Sequence, residues 1–143
     1  MSGDLPPPTK LRRAGAVIAG VIAVVVLSIG TDALLFASGV YPPREQRMSD
    51  GLFLVATAYR VVYAVAGSHL AARLAPDRPM AHALWVGGVG LAAGLAGAVV
   101  AGTAENDLGP TWYSVAIVAI AMPCAWAGGR LHGARAASRV VRS

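Results

Sequence analysis

Asp32 and Arg60 are an acid and a guanidinium set inside runs that are otherwise apolar, at nearly the same depth. Asp32 stands nine residues before the Tyr41-Pro42-Pro43 stop, and Arg60 nine residues after Gly51, where the next apolar run begins. At about 1.5 Å per helical residue, each lies roughly 13 Å inside its helix end. At the centre of a bilayer either charge alone costs around 2.5–3.5 kcal/mol, so opposite charges at one level predict a pair. Such a pair can fix the register of one helix against its neighbour, or it can serve as an ion, proton or substrate site. Tyr59 and Tyr63 flank Arg60 and offer hydroxyls to either role. Ser28, one turn before Asp32 on the same helical face, offers another. Arginine keeps its proton, so any proton relay would have to run through Asp32 alone.

The remaining polar groups carry weaker signals. His69 and His82 fall near the ends of two consecutive apolar runs, and histidines on neighbouring helices can ligate haem or a metal. No Cys, Asp or Glu stands close on those runs to complete a zinc site, so the expectation is a pair of polar histidines at a membrane interface and no cofactor. His132 lies in the basic tail and adds no signal. Glu105 and Asp107 share one short connection, where capping or solvation is the ordinary role of acids. Pro123 falls inside the fourth run and frees the carbonyl of Ala119, predicting a packing kink. Cys124 is the only cysteine, which excludes an internal disulfide. There is no Ser-His-Asp order, phosphate loop, haem-attachment motif or paired catalytic carboxylate, and the chain is not expected to be an enzyme.

The elements that must position these residues follow from composition. Of 143 residues, 56% are hydrophobic and 13% charged, and the mean hydropathy is +0.60. Soluble domains carry about 25% charged residues, so the solvent indicated is lipid. Four apolar runs, 14–40, 51–74, 80–104 and 111–131, are each long enough for the roughly 20 helical residues that cross a bilayer. The expectation is an all-α integral membrane four-helix bundle. Residues 1–13, with the Pro6-Pro7-Pro8 run, form a disordered tail, and residues 132–143 form a basic one. The first run is too long for the apolar core of a signal peptide, so it is expected to remain as a helix.

Net charge is +5, and the basic residues are sorted by connection. Lys10, Arg12, Arg13, Arg73, Arg78, Arg130, Arg135, Arg139 and Arg142 fall on one side, Arg44 and Arg47 on the other. The positive-inside rule then places both termini in the cytoplasm of a bacterial inner membrane. Tyr41, Trp112 and Tyr113 at one face, and Trp85 and Trp126 near the other, suit interfacial aromatic belts. Basic residues interleaved with aromatics are missing, so no nucleic-acid partner is expected. Arg135, Arg139 and Arg142 instead make a basic face suited to anionic headgroups.

The third run carries the clearest packing signal. Ala83, Gly87, Gly90, Gly94, Gly97 and Ala101 alternate at spacings of four and three, a stripe of small residues along one helical face. In lipid such seams let backbones approach closely, within one bundle, in a homo-oligomer, or against a partner membrane protein. Arg60, Ala64, Gly67 and Ala71 make a similar stripe on the second run, which turns Arg60 toward protein. The two helical hairpins show no internal duplication.

Several segments together resemble small uncharacterised bacterial four-helix inner-membrane proteins. They are Gly30-Thr31-Asp32, Tyr59-Arg60 with Tyr63 and Gly67, Ala72-Arg73-Leu74-Ala75-Pro76 leading to His82, Gly109 with Trp112-Tyr113, and Pro123 to Gly129. The resemblance covers nearly the whole chain and implies topology without an activity. In size the chain is also similar to small multidrug exporters with an acid in the first helix, but here the acid is off-centre and matched by Arg60. Two functions remain in view. One is a non-enzymatic membrane component or accessory subunit, favoured by a closed, dry core. The other is a small permease or channel-like protein, favoured by a polar cavity around Asp32, Arg60, Tyr59 and Tyr63.

Overall fold

Four α-helices make up nearly all of residues 10–103 and 109–141, the part described by the computed structural model: α1 (Lys10–Ala37), α2 (Asp50–Leu74), α3 (Pro79–Thr103) and α4 (Thr111–Val141). No strand occurs among the described residues. All four helices are long and apolar enough to cross a membrane. Large aliphatic side chains such as Ile18, Val26, Leu34, Leu54, Val62, Val99 and Val115 stand exposed on the outside. The buried residues are mostly Ala and Gly. A water-soluble bundle has the reverse distribution.

Helix ends differ from the apolar runs in two places. α1 stops at Ala37, short of Val40, because Gly39 takes φ +74° and turns the chain. The amide of Tyr41 then donates to the Leu35 carbonyl at 3.0 Å, folding Tyr41 back onto the helix end. α1 also begins at Lys10, so Lys10–Arg13 belong to the helix and not to the tail. At the other extreme α4 continues past Leu131 to Val141, through an Ala- and Arg-rich stretch of good helix formers. Pro123 sits inside α4 without ending it. Ser49 occupies the cap position of α2 with extended backbone but makes no side-chain capping bond. Glu105, Asp107, Arg142 and the proline run Pro6–Pro8 lie outside the described residues.

The bundle has two ends. One, here the turn end, carries the short α2–α3 turn at Pro76–Arg78 together with the start of α1 and the finish of α4. The opposite, loop end carries the α1–α2 and α3–α4 connections. The hairpin of α2 and α3 forms as expected, yet each packs more extensively on α4 than on the other. α1 packs on α2 and α3 and makes no contact with α4 among the described residues.

Close packing is concentrated toward the turn end. A Cβ on Gly20 would lie 2.6 Å from the Gly67 carbonyl oxygen, and one on Gly67 would lie 2.7 Å from that of Gly20, so α1 and α2 cross there backbone to backbone. α4 crosses α2 at Gly128, whose Cβ would meet the Val65 carbonyl at 2.6 Å and the His69 amide at 2.8 Å. α3 meets α4 at Gly87, 2.5 Å from the Ala125 methyl by the same measure.

The small-residue stripe on α3 follows this division and packs over only part of its length. Ala83 is wholly buried, Gly87 lies against α4, and a Cβ on Gly94 would meet Val118 at 3.3 Å. Gly90 has only the Ala121 methyl, at 4.0 Å, and Gly97 would meet nothing within 4 Å. Gly90, Gly94, Gly97 and Ala101 instead line a cavity. α1, tied to α2 at Gly20 and Gly67, does not close over α3 toward the loop end.

Candidate functional site

The two charges predicted from sequence to pair do meet. Arg60 Nη2 donates to Asp32 Oδ2 at 2.8 Å, and both side chains are about 30% exposed (31% and 27%). The two helix ends lie at different distances from the charges. Asp32 is five residues from the end of α1 and Arg60 ten from the start of α2, or about 8 and 15 Å at the helical rise. The long arginine side chain spans that offset.

Three tyrosines complete the cluster. Tyr59 donates its hydroxyl to Asp32 Oδ1, so each carboxylate oxygen has a donor. Arg60 Nη1 donates to the Tyr113 hydroxyl on α4. The Tyr41 hydroxyl lies 3.1 Å from that of Tyr59. The guanidinium sits between the Tyr59 and Tyr113 rings, 5.9 and 5.8 Å from their centroids, where ring quadrupoles favour a cation. Charge on α1 and α2 is thereby tied to α4, against which α1 does not pack among the described residues.

Phe53 fixes the α4 partner. Its buried ring packs 4.9 Å from Tyr113 and 6.5 Å edge-on from Trp112. Gly109 at φ +141° brings the chain beneath this ring, where a Cβ would come within 2.7 Å of Phe53 Cζ. Only glycine fits both demands.

Two sequence-assigned members take other places. Tyr63 pairs with Thr31 at 2.8 Å, although its ring is 5.7 Å from that of Tyr59. Ser28 lines the cavity, while the hydroxyl held by Asp32 belongs to Tyr59. Conversely, Tyr41 and Tyr113 were expected in an interfacial belt and are members of the cluster. Tyr41 is only 5% exposed and packs edge-on against Phe36 at 5.2 Å. In the sequence both stand at the ends of apolar runs, away from the level of the charges, so nothing local marked them as members.

The cavity is a half-open groove of about 510 Å³. Val21, Val24 and Val25 of α1, Ile117 and Ile120 of α4 and the α3 stripe form most of its wall. Arg60, Tyr113, Ser28 and Ser114 are polar groups in the lining, and Asp32 is not part of it. Its deep end reaches Ser68, Val86 and Gly87, where the glycine crossings begin.

The histidines of α2 and α3 have different partners. His82 is buried with Nδ1 3.2 Å from the Arg78 carbonyl. His69 faces α4, with its ring 5.8 Å from that of His132 and Nε2 3.5 Å from Arg135 Nη1. Among the described residues no group of three or more His, Cys, Asp or Glu could hold a metal ion. Cys124 is buried in α4. Across the turn end, Arg13 and Asp77 form an exposed ion pair at 2.8 Å.

What the fold and site define is therefore an all-helical chain with four candidate membrane spans and a charge-paired, tyrosine-lined cluster at one end. No family model, curated protein or solved structure matches it.

Proposed function

We propose that the chain is a multi-pass protein of a bacterial inner membrane with both termini in the cytoplasm, acting as a non-enzymatic component or accessory subunit. The orientation is supported by Arg12, Arg13, Arg73, Arg78, Arg130, Arg135 and Arg139 at the turn end, against Arg44 and Arg47 at the loop end. The basic face of Arg135 and Arg139 then lies on anionic headgroups. The observation that carries the functional reading is the closed network around Asp32. Its two carboxylate oxygens are taken by Tyr59 and Arg60, and Arg60 is anchored again on Tyr113. A pair satisfied in this way suits a device that holds three helices in register.

A permease or channel would need the cavity to continue toward the turn end. It stops at Val86 and Gly87, beneath which α1, α2, α3 and α4 meet at their glycines. That dead end favours the structural role.

The test is a charge swap in the full chain, purified in mild detergent. Asp32→Arg and Arg60→Asp should each lower the unfolding midpoint, and the double variant should recover most of the loss. Unchanged midpoints in both single variants would remove the reading. Orientation is tested separately by an alkaline phosphatase fusion after Ser143, expected to be inactive; an active fusion would place that end outside.

A further inference from the structure

Arg60 contributes to the cavity while its counter-charge does not. Two of the five N–H donors of a guanidinium are used on Asp32 and Tyr113. Tyr113 accepts from Arg60 and keeps its own O–H to donate. Toward the loop end the cavity thus presents a guanidinium and hydroxyl donors, while the carboxylate paired with Arg60 is not part of its lining. Below this level the wall is mostly Val, Ile, Ala and Gly, interrupted by the hydroxyls of Ser28 and Ser68. The cavity follows α3 from Val86 to Ala101, about 22 Å at the helical rise. Gly90 and Gly97 stand exposed along it, so it is a groove open on one side and long enough to take a hydrocarbon chain lengthwise. A volume of about 510 Å³ also falls within the usual range for small-molecule sites.

We propose that this slot binds a single-tailed anionic amphiphile, a long-chain carboxylate, with its head on Arg60 and Tyr113 and its tail along the α3 glycines toward Val86. The assignment rests on the bundle lying in a bilayer, because the slot then runs parallel to the lipid tails with its cationic end nearer one surface. Charge selects the head: a carboxylate accepts from the guanidinium as Asp32 does from the other side. An alkyl ammonium would face a like charge. Shape selects the tail: Gly90, Gly94 and Gly97 leave a floor without side chains, and Gly97 has open space above it.

Gly97→Leu is the decisive variant, since Gly97 lines the slot and a Cβ there meets nothing within 4 Å. The full chain in a non-ionic detergent is titrated by native mass spectrometry with palmitate, methyl palmitate and hexadecylamine. One palmitate per chain is expected, with binding at least about tenfold weaker for the ester and the amine. Gly97→Leu should abolish palmitate binding without lowering the unfolding midpoint. The neutral double variant Asp32→Asn with Arg60→Gln should lose the preference for palmitate over its ester.

Equal binding of the ester, or palmitate binding undiminished in Gly97→Leu, overturns the proposal. So does a dimer that excludes palmitate and is dissolved by Gly97→Leu, which would assign the slot to a second copy. A chain recovered from membranes and folded, yet unable to bind palmitate, loses only this site; a chain found in the soluble fraction loses the membrane reading itself.

Discussion

The two ends of the bundle use the same small residues for opposite purposes. Toward the turn end, Gly20, Gly67, Gly87 and Gly128 are contact points, each with a foreign atom closer than any Cβ tolerates. Toward the loop end, Gly90 and Gly97 are nearly or wholly free of neighbours and form the floor of a cavity. The turn end is held by close contact between backbones and methyl groups, the mode of association that the proposed membrane setting requires. At the loop end the helices stand apart, and long side chains bridge them: Arg60 from α2 to both α1 and α4, and Tyr59 from α2 to α1. Close packing therefore defines the shape at one end, and a polar network defines the opening at the other.

The comparison breaks most sharply if a large residue is tolerated at a crossing. Gly128→Leu would drive a side chain into the α2 backbone at Val65 and His69, atoms that cannot move without separating the helices. Overpacking typically costs about 1–3 kcal/mol and sometimes more, and this site should lie at the upper end or beyond. The measurement is the unfolding midpoint in mild detergent, or assembly in the membrane if the variant does not survive extraction. A near-native midpoint would mean that α4 is not seated against α2 at Gly128.

The next largest effect belongs to the polar end. Asp32→Asn leaves Arg60 without its counter-charge and weakens the acceptor for Tyr59. Breaking a fully buried pair costs about 3–5 kcal/mol; with both side chains about 30% exposed, the loss here should be nearer ~2 kcal/mol. Adding Arg60→Gln should restore part of it, since the two amides leave no uncompensated charge. Additive losses in the double variant would show that the residues act independently.

How much of this division could be read from sequence depends on whether a feature is local. Helix number, approximate spans and the Asp32–Arg60 pair were legible, because a charge in an apolar run has few alternatives to an opposite charge at its own depth. The end of α1 was not, since Gly39 and the fold-back of Tyr41 depend on a turn that the flanking prolines obscured. Tyr41 and Tyr113 read as belt residues for a related reason. An interfacial tyrosine and a network tyrosine look alike until the neighbouring helix is in place. The α3 stripe was legible as a face but not as half contact, half cavity floor. That depends on where α1 and α4 stand, which the spacing of glycines does not encode.

A smaller effect of opposite sign tests the floor of the cavity. Gly97→Ala puts a methyl group where nothing lies within 4 Å and removes the conformational freedom of a mid-helix glycine. The expected gain is about 0.5–1 kcal/mol. The same substitution at Gly67 meets Val24 Cγ2 at 2.3 Å and the Gly20 carbonyl at 2.7 Å, and should lose stability. Midpoints that move in the same direction for Gly97→Ala and Gly67→Ala would erase the distinction between the two ends.

The finest test separates two tyrosines one turn apart on α2. Tyr59 donates to a carboxylate, whereas Tyr63 meets a neutral hydroxyl, Thr31 Oγ1, at 2.8 Å. Hydrogen bonds between membrane helices average only about 0.6 kcal/mol, and bonds to charged groups run about 1.5–3 kcal/mol. Tyr63→Phe should therefore cost a few tenths of a kcal/mol, softened further because Thr31 can turn its hydroxyl to a carbonyl of its own helix. Tyr59→Phe should cost several times more, since it strips one oxygen of Asp32 of its donor. Comparing the two midpoints in one detergent decides the point. Equal losses would place Tyr63 inside the charged cluster after all, and would mean that the loop-end network spreads further along α1 than the Asp32 contacts alone require.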